Sequence, residues 1–142
     1  MGCHRMLVAY DGSAPSHKAL EVMRDIVRSD PSIEVVLVHV IRLFSSGSVA
    51  AGVDTVLLDD AQAIRNELDA IGDELPNPVQ VRLLKGTSPA DLILNCARDE
   101  GCDLIVMGSR GRGGVKGYLG SVSYAVTKDS PVTVIIAKEG EW

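Results

Sequence analysis

Two places in the chain carry residues suited to chemistry. One is the loop Gly108-Ser109-Arg110-Gly111-Arg112-Gly113-Gly114-Val115-Lys116-Gly117-Tyr118-Leu119-Gly120-Ser121, which follows the apolar run Leu104-Ile105-Val106-Met107 and holds six glycines and three cations. With no Cβ in the way, glycine lets backbone N–H groups turn toward a ligand, and a helix opening at Ser121 adds its partial positive charge. Such a loop suits phosphate. Arg110, Arg112 and Lys116 either contact phosphate directly or make the entrance positive. The other place is Asp11, which ends the apolar run Met6-Leu7-Val8-Ala9-Tyr10 and opens the turn Asp11-Gly12-Ser13. A carboxylate repels phosphate but accepts hydrogen bonds from ribose hydroxyls, so the two places together describe an oriented nucleotide.

Other chemistries lack their residues. No GxxxxGK run followed by Ser or Thr occurs, and the glycines follow a late strand instead of forming a GxGxxG turn after the first. Ser121 and Ser123 have no identifiable activating histidine, and Asp11 alone does not make a phosphoryl-transfer site. No catalytic residue is therefore assigned. His39, inside an apolar run, reads as a hydrogen-bonded core histidine. Cys3, Cys96 and Cys102 lack CxxC spacing and read as reduced, structural thiols. No protein-only metal cluster is visible, although Mg2+ or Mn2+ could accompany a ligand's phosphates.

The elements that must position these residues follow from periodicity. Met6 to Tyr10, Val35 to Ile41, Asp103 to Met107 and Val132 to Ala137 are apolar runs of strand length, and Val79 to Leu84 alternates as a strand nearer an edge. Helical patterns open at Pro15-Ser16, at Ser88-Pro89 and at Val122. From Leu57, the positions Ala61, Ile64, Leu68, Ile71 and Leu75 form the clearest helical stripe. Its opposite face, with Asp59, Asp60, Arg65, Asn66, Glu67, Asp69 and Asp73, reads as solvated surface. Leu43 to Val53 lacks a period and is expected to be a connection able to act as a lid. The result is an α/β domain with a doubly wound, five-stranded parallel sheet, helices on both faces, and residues 1–142 in one domain. Ligands of such sheets sit beyond the carboxyl ends of the strands where the winding reverses. Asp11 and the glycine loop share one crevice if the first and fourth strands are neighbours.

Composition narrows the classes. With 142 residues and 46% apolar composition, the chain can bury one real core. A formal charge of −5 and a pI near 5.1 argue against a nucleic-acid or anionic-membrane surface. No run has membrane-helix length and no signal-peptide plan opens the chain, so a cytoplasmic protein is expected.

In that order, several segments carry a resemblance to the universal stress protein family along nearly the whole chain. They are Leu7-Val8-Ala9-Tyr10-Asp11-Gly12-Ser13, Leu37-Val38-His39-Val40-Ile41, Gly86-Thr87-Ser88-Pro89-Ala90, Met107-Gly108-Ser109-Arg110-Gly111 and Gly120-Ser121-Val122-Ser123. The resemblance implies a five-stranded sheet, frequent homodimers through the last strand, and a division into members that bind ATP and members that do not. It places Asp11 by the ribose and the backbone of Val40 by adenine. Gly108 and Gly111 would line the ribose and phosphate side, with Gly120, Ser121 and Val122 cradling phosphate. The candidate nucleotide-binding set is Ala9, Tyr10, Asp11, Val40, Met107, Gly108, Arg110, Gly111, Arg112, Gly120, Ser121, Val122 and Ser123. Eight residues separate Gly111 from Gly120, one fewer than the family pattern places there, and the Gly113 to Gly117 portion is expected to absorb the difference.

The function expected on these grounds is a stress-response protein that binds ATP or AMP and acts as a nucleotide-dependent regulator. It would form a homodimer and act on a protein partner the residues do not identify. The alternative is a nucleotide-independent dimeric interaction protein on the same scaffold. The last strand carries its own motive for dimerisation, because Val132, Val134, Ile135 and Ile136 would leave an apolar edge open.

Overall fold

The computed structural model describes residues 2–43, 51–111, 115 and 117–140, with the backbone alone for 51–59. In chain order the elements are β1 Arg5–Ala9, α1 Ala14–Val27, β2 Glu34–Arg42, α2 Ala51–Glu74, β3 Val79–Gly86, α3 Pro89–Asp99, β4 Leu104–Gly108, α4 Ser121–Asp129 and β5 Thr133–Ala137. The strands form one sheet in the order β3-β2-β1-β4-β5, with every pairing parallel. The chain winds outward from β1 through β2 to β3, then crosses back to β4 on the other side of β1. The expected adjacency is present: Met6, Leu7 and Val8 pair with Leu104, Ile105 and Val106.

Alternation along the strands divides the core between the two faces. Met6, Val8, Val35, Leu37, Leu104 and Val106 pack with Leu20 and Met23 of α1 and with Ile64 and Leu68 of α2. Leu7, Val36, Val38, Ile105 and Met107 point the other way, toward Ile93 and Cys96 of α3 and Val126 of α4. Burial on both faces is why β2 and β4 read as nearly unbroken apolar runs. β3 is an edge strand, as its mixed pattern predicts.

Boundaries differ in places. α2 begins at Ala51, ahead of the Leu57 at which its stripe starts. An apolar period marks where a helix meets a partner and sets no limit on the helix itself. Of the expected lid, residues 44–50 lie outside the described residues. Ser88 stands at the N-cap of α3, but its hydroxyl donates to the Asp91 carboxylate at 3.0 Å instead of capping a backbone amide. Ser13 does cap α1, accepting from the Ser16 N–H at 3.3 Å.

Candidate functional site

At the carboxyl ends of β1, β2 and β4 lies a cavity of about 570 Å3. Its walls include Ala9, Tyr10, Asp11, Val40, Met107, Gly108, Arg110, Gly111, Gly120, Ser121, Val122 and Ser123. Twelve of the thirteen sequence-derived candidates thus stand around one space, although they come from three distant stretches of chain. The thirteenth, Arg112, lies outside the described residues, as do Gly113, Gly114 and Lys116.

The turn after β1 fixes the carboxylate. Gly12 takes φ +83°, and the Ser13 N–H donates to Asp11 Oδ1 at 2.9 Å, closing a turn of the kind that short acidic side chains favour. The Ser16 hydroxyl accepts from the Asp11 N–H at 3.3 Å and donates to the Ser13 carbonyl at 2.9 Å. The first turn of α1 is therefore welded to the aspartate. Gly111 closes over it: a Cβ at that position would stand 2.7 Å from Asp11 Oδ2.

Two other glycines have structural reasons of their own. Gly108 is pressed against the start of α1, where a Cβ would meet the Pro15 carbonyl carbon and Cβ at 2.7 Å and the Ser16 nitrogen at 2.8 Å. Its place in the cavity wall is thus shared with a helix–strand contact. Gly120, the N-cap of α4, donates its N–H to the Ser109 carbonyl at 2.7 Å and pins the two ends of the glycine loop together. Ser123 is buried, and its hydroxyl donates to the Gly108 carbonyl at 2.8 Å. The first-turn amides of α4 have no intrahelical acceptors, as in any helix, and Ser121 and Val122 of that turn are among the residues lining the wall.

Two candidates in the wall have side chains engaged elsewhere. Tyr10 lines the cavity, yet its side chain runs into the core, where the hydroxyl donates to Glu67 Oε2 at 2.6 Å and lies 3.1 Å from His17 Nε2. Arg110 has its guanidinium ion-paired with Glu139, just beyond β5.

Sequence reasoning also missed part of the wall. Ser16, His39, Ile41, Arg42, Asp60, Ile64, Pro89 and Ile93 complete it. His39 is hydrogen-bonded, as expected, but it is half-buried and faces the cavity. Its Nδ1 lies 3.0 Å from the Tyr10 carbonyl, which can only accept, so the proton sits on Nδ1. The rule that places ligands at strand carboxyl ends pointed to His39 through Arg42 as readily as to Val40. Asp60 and Glu67 are exposed, as the solvated face of α2 predicts, but each also has a local role: one borders the cavity, the other accepts from Tyr10. Nothing in their spacing could have separated them from their acidic neighbours.

The thiols match their structural reading. Cys96 and Cys102 are buried, and burial, with the neighbouring Cys96 thiol adding to it, pushes Cys102 up to about 11. Burial and the adjacent Asp103 carboxylate push Cys3 up to about 12. Among the described residues, no group of His, Cys, Asp and Glu is arranged to hold a metal ion. No described helix is long and apolar enough to cross a membrane.

A parallel sheet wound outward from its centre, with an acidic turn and a glycine bend facing each other at the point of reversal, defines a doubly wound α/β protein with a switch-point cavity. Residues 2–138 match the model of the universal stress protein family, and the chain belongs to that family. Universal stress protein YxiE of Bacillus subtilis is 35% identical over 147 aligned positions, covering 95% of this chain and 99% of its own. Among solved structures, hypothetical protein MJ0577 superposes with a TM-score of 0.81 at 29% identity, over 98% of both chains. A universal stress protein family member from Arabidopsis thaliana with AMP bound shares the fold at a TM-score of 0.71 and 19% identity, over 96% of this chain and 92% of its own.

Proposed function

We propose that this universal stress protein binds an adenine nucleotide, ATP or AMP, in the switch-point cavity and acts as a nucleotide-dependent regulator with at most slow hydrolysis. The observation that carries the reading is the closure of Gly111 over the Asp11 carboxylate, which sets a ribose acceptor beside a phosphate-type glycine bend. A volume of about 570 Å3 is ample for a nucleotide. Val40 supplies backbone for the base, Asp11 takes the ribose, and Ser121 and Val122 offer amides to phosphate. The AMP-bound Arabidopsis relative supports the choice of adenine. Mg2+ or Mn2+ would enter with the phosphates.

The test is calorimetry of wild type and Gly111→Val, together with mass analysis of small molecules released from the purified protein. Adenine nucleotide in the wild type and its loss in the variant are expected, because the new side chain must push the Asp11 carboxylate out of its position. Tight binding unchanged by the substitution refutes the site. The same reading includes a homodimer through β5, whose Val134, Ile135 and Ile136 lie at the open edge of the sheet. A single monomeric boundary in concentrated sedimentation runs would contradict it.

A nucleotide-independent interaction protein is the second reading, favoured by Val115, Tyr118, Leu119 and Tyr124, which stand exposed around the glycine loop and the start of α4. Full function of a Gly111→Val protein in cells would decide for it.

A further inference from the structure

Arg110 stands in the walls of two cavities. One is the switch-point cavity; the other, about 370 Å3, lies toward the end of β5 and is lined by Lys138, Glu139, Tyr118 and Ile136 among others. Its backbone belongs to the phosphate end of the first cavity, since a Cβ on Gly120 would lie 3.1 Å from Arg110 Cα, next to the opening turn of α4. Its guanidinium, however, is engaged by Glu139. Both side chains are largely withdrawn from water, at 16% and 29% exposure, so the pair is screened less than an ordinary surface ion pair.

We propose that Glu139 is a specificity-determining residue that biases the cavity toward nucleotides with fewer phosphates; this rests on the nucleotide reading above. Glu139 acts through Arg110. A guanidinium fork that is satisfied by a carboxylate must exchange that partner, or share it, to meet a phosphate oxyanion near α4. The exchange costs little for AMP, whose one phosphate stays near the ribose and Gly111. It costs most for ATP, whose outer phosphates reach the side of the cavity where Arg110 is held. Glu139 therefore acts as a built-in competitor for the phosphate tail, and it ties loading of the site to the segment that follows β5.

The experiment is calorimetry with adenosine, AMP and ATP on wild type, Glu139→Gln, Arg110→Gln and the double variant, with Glu139→Ala as the alternative if the glutamine form does not fold. Glu139→Gln should bind ATP about tenfold more tightly, equivalent to about 1.4 kcal/mol. AMP should tighten less and adenosine not at all. In the Arg110→Gln background the Glu139 substitution should change ATP binding little, because the group it releases is gone. Equal tightening of all three ligands, no tightening, or a full effect without Arg110 each overturns the assignment while leaving the nucleotide reading standing. Silence of wild type and every variant toward all three ligands overturns both.

Discussion

Among the described glycines outside the cavity mouth, replacing Gly108 by alanine should destabilise the protein most. The added Cβ would lie 2.7 Å from two carbon atoms of Pro15 and 2.8 Å from the Ser16 nitrogen. Two of these three are backbone atoms, so no rotamer change relieves the clash. Nor can α1 back away freely, because its first turn is held by the Ser13 cap, by the His17 N–H donated to the Ser13 carbonyl at 3.0 Å, and by the Asp11 turn. Overpacking of this kind costs about 1–3 kcal/mol, and rigid backbone neighbours place it at the top of that span. Loss of glycine's freedom in the unfolded chain returns about 0.4–1 kcal/mol. A net loss of about 2 kcal/mol remains, or a Tm lowered by roughly 7 °C for a domain of this size. Gly101→Ala is the natural control: it sits at φ +69° with open space around it, and should cost only about 1 kcal/mol through backbone preference. Thermal unfolding followed by circular dichroism would measure both. A Gly108→Ala protein melting within a degree of wild type, or melting above Gly101→Ala, would refute the close packing of β4 on α1.

Tyr10→Phe removes the hydroxyl between Glu67 and His17, both of which are exposed enough to recover water, so urea unfolding should show a loss of only about 1 kcal/mol. Asp103 has its carboxyl held below the usual range: burial alone would raise it, but the His4 N–H, donated to Oδ2 at 2.9 Å, and further hydrogen bonding outweigh burial. A carboxyl depressed by folding stabilises above its unfolded value and loses that contribution as pH falls through its folded one. The urea midpoint of Asp103→Asn should therefore lie below wild type at neutral pH, with the gap closing under about pH 3.9. Aromatic disulfide reagents at pH 8 should label the three thiols slowly until denaturant is added, given the burial of Cys96 and Cys102 and the raised Cys3 and Cys102 values. A fast native-state label on one of them would contradict that protection.

Much of the fold was legible because burial on both faces of a parallel sheet writes itself into the chain as apolar runs at β2 and β4, and turn chemistry writes itself as Asp11-Gly12-Ser13 and Ser88-Pro89. Local rules of this sort identify which residue types can occupy a strand, a turn or a helix start, and they also singled out Asp11 and the glycine bend. Partner choice for long side chains left no such trace. Tyr10 lines the cavity as its position suggested, but its hydroxyl goes to Glu67; Arg110 read as a cation that contacts phosphate or makes the entrance positive, and its guanidinium is paired with Glu139. His39 looked like core and faces the cavity.

By itself, the sequence determined the order of strands and helices, the two polar ends of the cavity and the family to which they belong, because each depends on neighbours within a few residues along the chain. Tertiary structure alone decided that β4 lies beside β1, that Gly108 carries α1 on its face, and that Asp60 and Arg42 meet the same space. Those outcomes depend on distances between atoms far apart in the chain, and only the packed sheet sets such distances.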